Sequence, residues 1–253
     1  MARSQRTFRT QALIIRRRDF AEADRLLTII TPTHGKLDVI AKGARKPTST
    51  KTGHVELFAL VDMLISRGRN FHLVTQAELV EPYLNIREDL QRSAYASYVA
   101  ELADRFTLQG EDDLTDVFNL LMYTLSYLSD TDDLRKVARF YELRLLDAVG
   151  FRPELNECVF THEPIQPQDQ FFSYAEGGVV VPSAAQYSHS LVPISLNTLK
   201  LLRYLQRSEY QQIQVLRIPP ETHMEVERLM LGYITFLLER RLQSVDFIRR
   251  IRT

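Results

Sequence analysis

The sequence reads as an α+β chain, with a five-stranded β-barrel at its N-terminus followed by a helical domain that carries a small β-rich insert. Three observations carry that reading. As far as Pro82 the apolar residues fall in short β-branched or alternating stretches separated by turn residues. After Pro82 the apolar spacing becomes helical. Between residues 151 and 192 prolines and the pair Gly177-Gly178 interrupt the helical spacing.

Taken in order, Ala12-Leu13-Ile14-Ile15 marks a first strand over Thr10–Arg16, and Leu26-Leu27-Thr28-Ile29-Ile30 a second over Arg25–Thr31. Thr31-Pro32-Thr33-His34-Gly35 has turn chemistry, with Pro fixing φ and Gly permitting positive φ. Leu37, Val39 and Ala41 alternate with polar neighbours in a third strand, Lys36–Lys42. A loop rich in Lys, Pro, Ser, Thr and Gly runs from Gly43 to Gly53, and Val55–Arg67 and Phe71–Val80 complete the set. Five short strands before Pro82 suit a small barrel such as the OB-fold.

The helices begin with Asn85–Leu108, where Leu90, Ala94, Tyr98, Leu102 and Phe106 share one face. Leu114–Leu128 and Leu134–Val149 repeat the pattern on either side of the acidic break Ser129–Asp133. Asp132 or Asp133 suits an N-cap, and Gly150 stands where a C′ glycine belongs. In the insert, Val179-Val180-Val181 is a short apolar run. Helices resume over Leu196–Gln206 and Glu221–Gln243, the latter with a core stripe of Val226, Met230, Ile234 and Leu237. The domains expected are therefore 1–82 and 83–253, with 151–192 as the insert.

Several function classes drop out. No apolar run approaches the roughly 18 residues that span a bilayer, and Met1–Arg9 lacks the apolar core of a signal peptide. A lone cysteine, Cys158, allows neither an internal disulfide nor an all-cysteine metal site, so a reducing cytoplasm is the expected compartment. Phosphate-cradling, zinc-protease and nucleophile-elbow motifs are all missing. The six histidines are scattered, and Cys158 with His162 forms one C-x₃-H pair that no second pair completes. Asp112-Asp113 and Asp132-Asp133 sit at helix starts, where the helix dipole accounts for them. No enzyme is expected.

A net charge of zero averages two unlike parts. Residues 1–82 hold 14 Lys and Arg against 8 Asp and Glu, and residues 83–253 hold 18 against 24. Such asymmetry points to one part that meets a polyanion. Arg16, Arg17 and Arg18 end the first strand, so they alternate between faces, and an unpaired guanidinium cannot enter a barrel interior. They belong at the rim or outer face. Lys36 in the third strand, and Lys42, Arg45, Lys46 and Lys51 after it, extend a positive groove along which a phosphate backbone can run. Phe8, Phe20 and Phe71 are available as stacking rings, although the core is the simpler place for each. The groove suits a nucleic acid, with DNA the leading reading and the same basic rim open to RNA. RNA or a ribosomal surface is the alternative, as is an adaptor whose basic rim is incidental.

The run Glu22-Ala23-Asp24-Arg25-Leu26-Leu27-Thr28, then His34-Gly35-Lys36 and Ala41-Lys42-Gly43-Ala44-Arg45-Lys46-Pro47, resembles the opening of the bacterial recombination mediator family RecO. Ala138–Leu146 with Val149-Gly150-Phe151 is similar to that family's helix before a zinc-finger-like insert, and Leu242-Gln243-Ser244 with Phe247-Ile248 to its last helix. The resemblance implies an OB-fold, a helical domain, and binding of single- and double-stranded DNA without nucleotide hydrolysis. It implies annealing of complementary strands and recombinase loading onto DNA coated with single-strand-binding protein, at the nucleoid, together with a RecR-like protein. It also implies that the acidic tail of single-strand-binding protein docks on the helical domain at Arg139, Phe140 and Leu143. Many members hold zinc on four cysteines of the insert. Here those positions read Cys158, Thr161, Val181 and Ala184, so no metal and no other cofactor is expected.

Overall fold

The longest strand turns the barrel's corner. In a computed structural model that describes residues 6–46, 49, 51 and 53–252, β1 (Thr7–Phe20) pairs antiparallel with β4 (Leu60–Ser66) along its first half and with β2 (Asp24–Thr31) along its second. Pro47, Thr48, Thr50 and Thr52 of the expected basic loop lie outside the described residues, as do Met1–Gln5 and Thr253. A register shift between Ile14 and Arg16 marks a bulge at Ile15, which bends β1 between its two partners. β2 pairs with β3 (Gly35–Ala41), and β4 with β5 (His72–Glu81). A short parallel pairing of Val39 with His72 and Ile40 with Leu73 closes the barrel in the order β1-β2-β3-β5-β4. This is the five-stranded OB-type barrel the strand spacing predicts.

The chain divides into two compact units, one running to Asp132 and taking up again at Ser244, the other Asp133–Gln243. The first unit holds more than the barrel, and the reason is visible in β1 and β2. Ala12, Ile14, Leu27, Ile29, Val39, Val61, Met63 and Ile65 fill the barrel interior. Their alternates Leu13, Ile15, Leu26 and Ile30 point outward yet are also buried. A strand buried on both faces reads as a continuous apolar run, as Ala12–Ile15 does. The outer face needs a cover, at about 1.5–3 kcal/mol for each large side chain removed from water. α1 (Leu84–Glu88), α2 (Leu90–Phe106) and α3 (Thr115–Asp130) pack on one another and provide it, α2 against β1 and α3 against β2. The change of period at Pro82 therefore marks a change of secondary structure, while the compact unit continues to Asp132.

Asp89 splits the helix expected over Asn85–Leu108. Its backbone is extended and its carboxylate accepts from the Arg92 amide at 2.8 Å, capping α2. The last helix, α8 (Gln243–Arg252), is tied to α2 through Ser244, whose amide and hydroxyl donate to Glu101 Oε2 at 2.8 and 2.6 Å.

In the second unit α4 (Leu134–Ala148) packs on α5 (Leu196–Arg207) and α7 (Pro220–Leu238). Asp133 caps α4, accepting from the Lys136 amide at 3.1 Å. Gly150 ends it at φ 82°, with the Phe151 amide donating back to Leu146 O at 2.7 Å. α7 stops five residues before the expected Gln243, because Glu239 turns left-handed at φ 52°. The short helix α6 (Tyr210–Gln214) was not foreseen; a reciprocal cap between Glu209 and Gln212 starts it. The insert is a three-stranded sheet, β7 (Gly178–Val180) and β8 (Leu191–Ile194) flanking β6 (Gln170–Ser173), and Val179 and Val180 are fully buried.

Candidate nucleic-acid interface

The arginine triplet at the end of β1 separates into three fates. Arg16 pairs across from Thr28 and lies 3.3 Å from Asp104 on α2, with 63% of its side chain exposed. Arg17 pairs across from Leu27, a barrel-core residue, and meets Glu56 at the barrel's end. Arg25 binds the same carboxylate at 2.8 Å and Arg87 approaches to 3.8 Å. Burial opposes ionisation of Glu56, but the Arg25 hydrogen bond and the three guanidinium charges outweigh it and hold its pKa below the ordinary value. Arg18, across from Leu26, is exposed and makes no ion pair among the described residues.

The lysines divide in the same way. Lys36 is buried, and its ammonium donates to Asp104 O at 2.6 Å, Asp104 Oδ1 at 3.2 Å and Thr107 O at 2.6 Å. All three protons are used to join β3 to the end of α2, so the expectation that Lys36 meets phosphate is corrected. Lys51 turns inward to Val74 O at 2.8 Å, and burial pushes its pKa down. Lys42 and Lys46 are exposed on the turn that follows β3. That turn is pinned to the β1–β2 hairpin by Gly43 N to Asp24 Oδ1 (2.8 Å) and Arg45 N to Ala23 O (2.9 Å). The Arg45 guanidinium reinforces the join, reaching Glu22 O at 3.3 Å and Asp19 at 3.4 Å.

Two further cations escaped the reading of the sequence. Arg67 and Arg69 are exposed on the tight β4–β5 turn, where a Cβ on Gly68 would stand 1.9 Å from Phe71 O. The signal was local, an Arg-Gly-Arg-Asn turn between two apolar runs, but it lies beyond the dense N-terminal charge. Phe71 meets Phe20 edge-on at 6.1 Å, which brings this turn to the β1–β2 hairpin. Arg67 also stands over Phe8 at 5.0 Å, and Phe8 stacks on His34 at 4.1 Å. Burial, then the charge of Arg67, lowers the pKa of both His34 and His72. Phe20 is itself 37% exposed; Arg18 precedes it in β1, Lys42 and Lys46 lie on the turn pinned to its hairpin, and Arg69 lies on the turn that carries its ring partner Phe71. The β1–β2 and β4–β5 loops, with the turn after β3 pinned to the first of them, form the side on which OB-folds take oligonucleotides.

Two family models cover the chain, "Recombination protein O N terminal" over residues 3–83 and "Recombination protein O C terminal" over residues 87–246. The chain belongs to the recombination protein O family. Curated relatives named DNA repair protein RecO include that of Roseiflexus sp. (strain RS-1), 40% identical over 98% of this chain and 87% of its own length. That of Dehalococcoides mccartyi (strain CBDB1) is 34% identical over 97% of this chain and 96% of its own. That of Pelotomaculum thermopropionicum is 33% identical over 96% and 94%.

The expected tail-docking residues of this family member are not on a surface. Arg139 is buried and pairs at 2.6 Å with Glu142, which is fully buried. Phe140 packs on Tyr210 at 5.8 Å and carries the Arg144 guanidinium at 5.3 Å, and Leu143 is fully buried. A peptide carboxylate cannot reach Arg139 without opening the packing of α4. The family resemblance implies an accessible Arg139, but α4 is covered on nearly every side.

A family zinc site does not fit these residues. Cys158 brings one thiolate, while Thr161, Val181 and Ala184 bring a hydroxyl and two alkyl groups, short of the roughly four ligands zinc needs. Burial pushes the Cys158 pKa up, but the Thr161 hydroxyl and the amides of Val181, Thr161 and Phe160 hydrogen-bond to the sulfur and bring it below the ordinary value. No three metal-binding side chains gather among the described residues.

Proposed function

We propose that this chain is a non-enzymatic DNA-binding mediator of recombinational repair whose barrel loops bind the phosphate backbone. The observation that carries the reading is the set of exposed cations on the loops of an OB-type barrel, Arg18, Lys42, Lys46, Arg67 and Arg69, together with the Phe20–Phe71 contact that joins two of those loops. Family membership supports a role in DNA repair and recombination. Cations of this kind screen repulsion between two strands and leave base edges free to pair, which is what annealing requires. The further steps proposed are annealing of complementary strands and loading of recombinase onto DNA coated with single-strand-binding protein. A RecR-like protein and the acidic tail of single-strand-binding protein are the proposed partners, and the nucleoid the proposed place of action. No helix among the described residues is long and apolar enough to cross a membrane.

The test is the triple variant Arg18→Ala, Lys42→Ala, Lys46→Ala, titrated with a fluorescent oligo-dT at several salt concentrations. Three lost phosphate contacts remove about 2 from the log–log salt slope, at about 0.7 per contact on a single strand. An unchanged slope would overturn the barrel-binding reading. Preference for RNA over DNA in competition, or failure to anneal coated complementary oligonucleotides without ATP, would overturn the mediator reading.

A further inference from the structure

The second unit has an open cavity of about 650 Å³ between α5 and the segment that leads into α7. Lys200, Arg203 and Arg207 line it from α5, and Arg217 from the facing segment. Residues 133–243 contain 12 Lys and Arg and 13 Asp and Glu, yet four of those cations and none of those carboxylates line this one cavity. The four make no ion pair among the described residues. Leu201, Ile218 and Pro219 supply an apolar floor.

The shape is held in advance. The buried ammonium of Lys136 donates to Gln214 O at 2.7 Å and Leu216 O at 3.1 Å, fixing the facing segment. Arg203 Nε and Nη2 donate to Leu155 O at 2.8 and 2.6 Å. Burial lowers the Arg203 pKa, with Glu154 opposing this and the charge of Arg207 adding to it.

We propose that this cavity is a second single-strand binding site, which takes a short run of phosphodiester backbone so that one chain can hold two strands. Lys200, Arg203 and Arg207 fall at i, i+3 and i+7, one face of α5 rising about 10 Å, a row of cations along which neighbouring phosphates of one strand can lie. Arg207 lies 5.9 Å from the Tyr204 ring centroid, and a guanidinium over an aromatic ring offers a plane on which a base stacks. An acidic peptide would satisfy the cations, but regularly spaced charge beside flat apolar surfaces is what a strand brings. The proposal rests on the DNA-binding reading above, and its test separates the two.

The full chain carrying Lys200→Gln, Arg207→Gln and Arg217→Gln is compared with wild type and with the barrel triple variant; Arg203 is kept because it holds Leu155 O. Titration with a fluorescent oligo-dT of about eight nucleotides, short enough to occupy one site at a time, is expected to give two equivalents bound to wild type and one to each variant. A 4-thiothymidine strand is expected to crosslink to the segment containing Tyr204 in wild type and in the barrel variant. Annealing by the cavity variant should slow by about tenfold or more, because the second strand is no longer held at high effective concentration. Matching circular dichroism and thermal midpoints establish that both variants fold. Two equivalents on the cavity variant, or no crosslink near Tyr204, would overturn this proposal and leave the barrel reading standing. So would a barrel variant that binds an acidic peptide through Lys200, Arg207 and Arg217 but no oligonucleotide. A barrel variant that still binds two equivalents overturns the barrel reading alone.

Discussion

Replacing Lys36 with Met distinguishes a lysine that holds the fold from lysines that meet a polyanion. Met keeps the stem's volume and deletes the ammonium, which is buried and donates at 2.6, 3.2 and 2.6 Å to Asp104 O, Asp104 Oδ1 and Thr107 O. Breaking a buried ion pair from one side costs about 3–5 kcal/mol, because the remaining partner stays buried without compensation. Asp104 here retains Arg16 at 3.3 Å, and 13% of its side chain is exposed, so water and Arg16 recover part of the loss. The lower end, about 3 kcal/mol, is expected. With a urea slope of about 2 kcal/mol per molar, the unfolding midpoint of the first unit falls by about 1.5 M. Far-UV circular dichroism reads that midpoint, and amide exchange in the last turn of α2 localises the loss. Oligo-dT affinity of the folded variant should equal that of wild type. A wild-type midpoint together with weakened DNA binding would refute the assignment of Lys36 as a structural cation.

Three further outcomes follow from the same structure. Gly35→Ala places a Cβ 1.7 Å from Glu111 O at a φ of 66°, and should destabilise the first unit by about 2–4 kcal/mol in a urea titration; a loss under about 1 kcal/mol would show that the turn relaxes freely. Asp133 is pushed up by burial, but hydrogen bonds from His223 and the Lys136 amide and the charges of both residues hold it below its ordinary 3.8. Its contribution is therefore full above that value and lost as pH falls through the lower folded value. Asp133→Asn keeps a good cap and removes the titration, so thermal midpoints from pH 6 down to 3 should decline less steeply than in wild type; parallel declines would count against the assignment. Phe20→Ala should weaken single-strand binding by about 1–3 kcal/mol and duplex binding less, as fluorescence titrations would report, and equal losses on both would argue against base stacking.

Much of the fold was legible because its signals are local. β-branched runs and a Pro–Gly turn mark the first three strands, and Asp133 and Gly150 mark the ends of α4 through cap chemistry that involves only near neighbours. Other elements were misread where a local rule met a tertiary demand. The helix expected over Asn85–Leu108 breaks at Asp89, whose extended backbone and side-chain cap start α2 afresh. At the candidate interface the charge count found the right domain but could not sort its members. Lys36 and Lys42 lie six residues apart in similar sequence, and one is buried while the other is exposed. Arg139 pairs with a residue only three positions away, but its burial comes from neighbours contributed by the rest of the second unit.

The sequence by itself determined the strands of the barrel, the main helices and several of their caps, and that positive charge gathers in the N-terminal barrel. Those properties depend on residues within a turn or two of one another. Only the tertiary structure decided which cations face solvent. A long flexible side chain ends wherever acceptors await it, and for Lys36 they sit 68 and 71 residues along the chain. The same assembly decided that Phe71 brings the turn of Arg67 and Arg69 to Phe20 of the β1–β2 hairpin, and that four cations of a nearly neutral segment line one cavity.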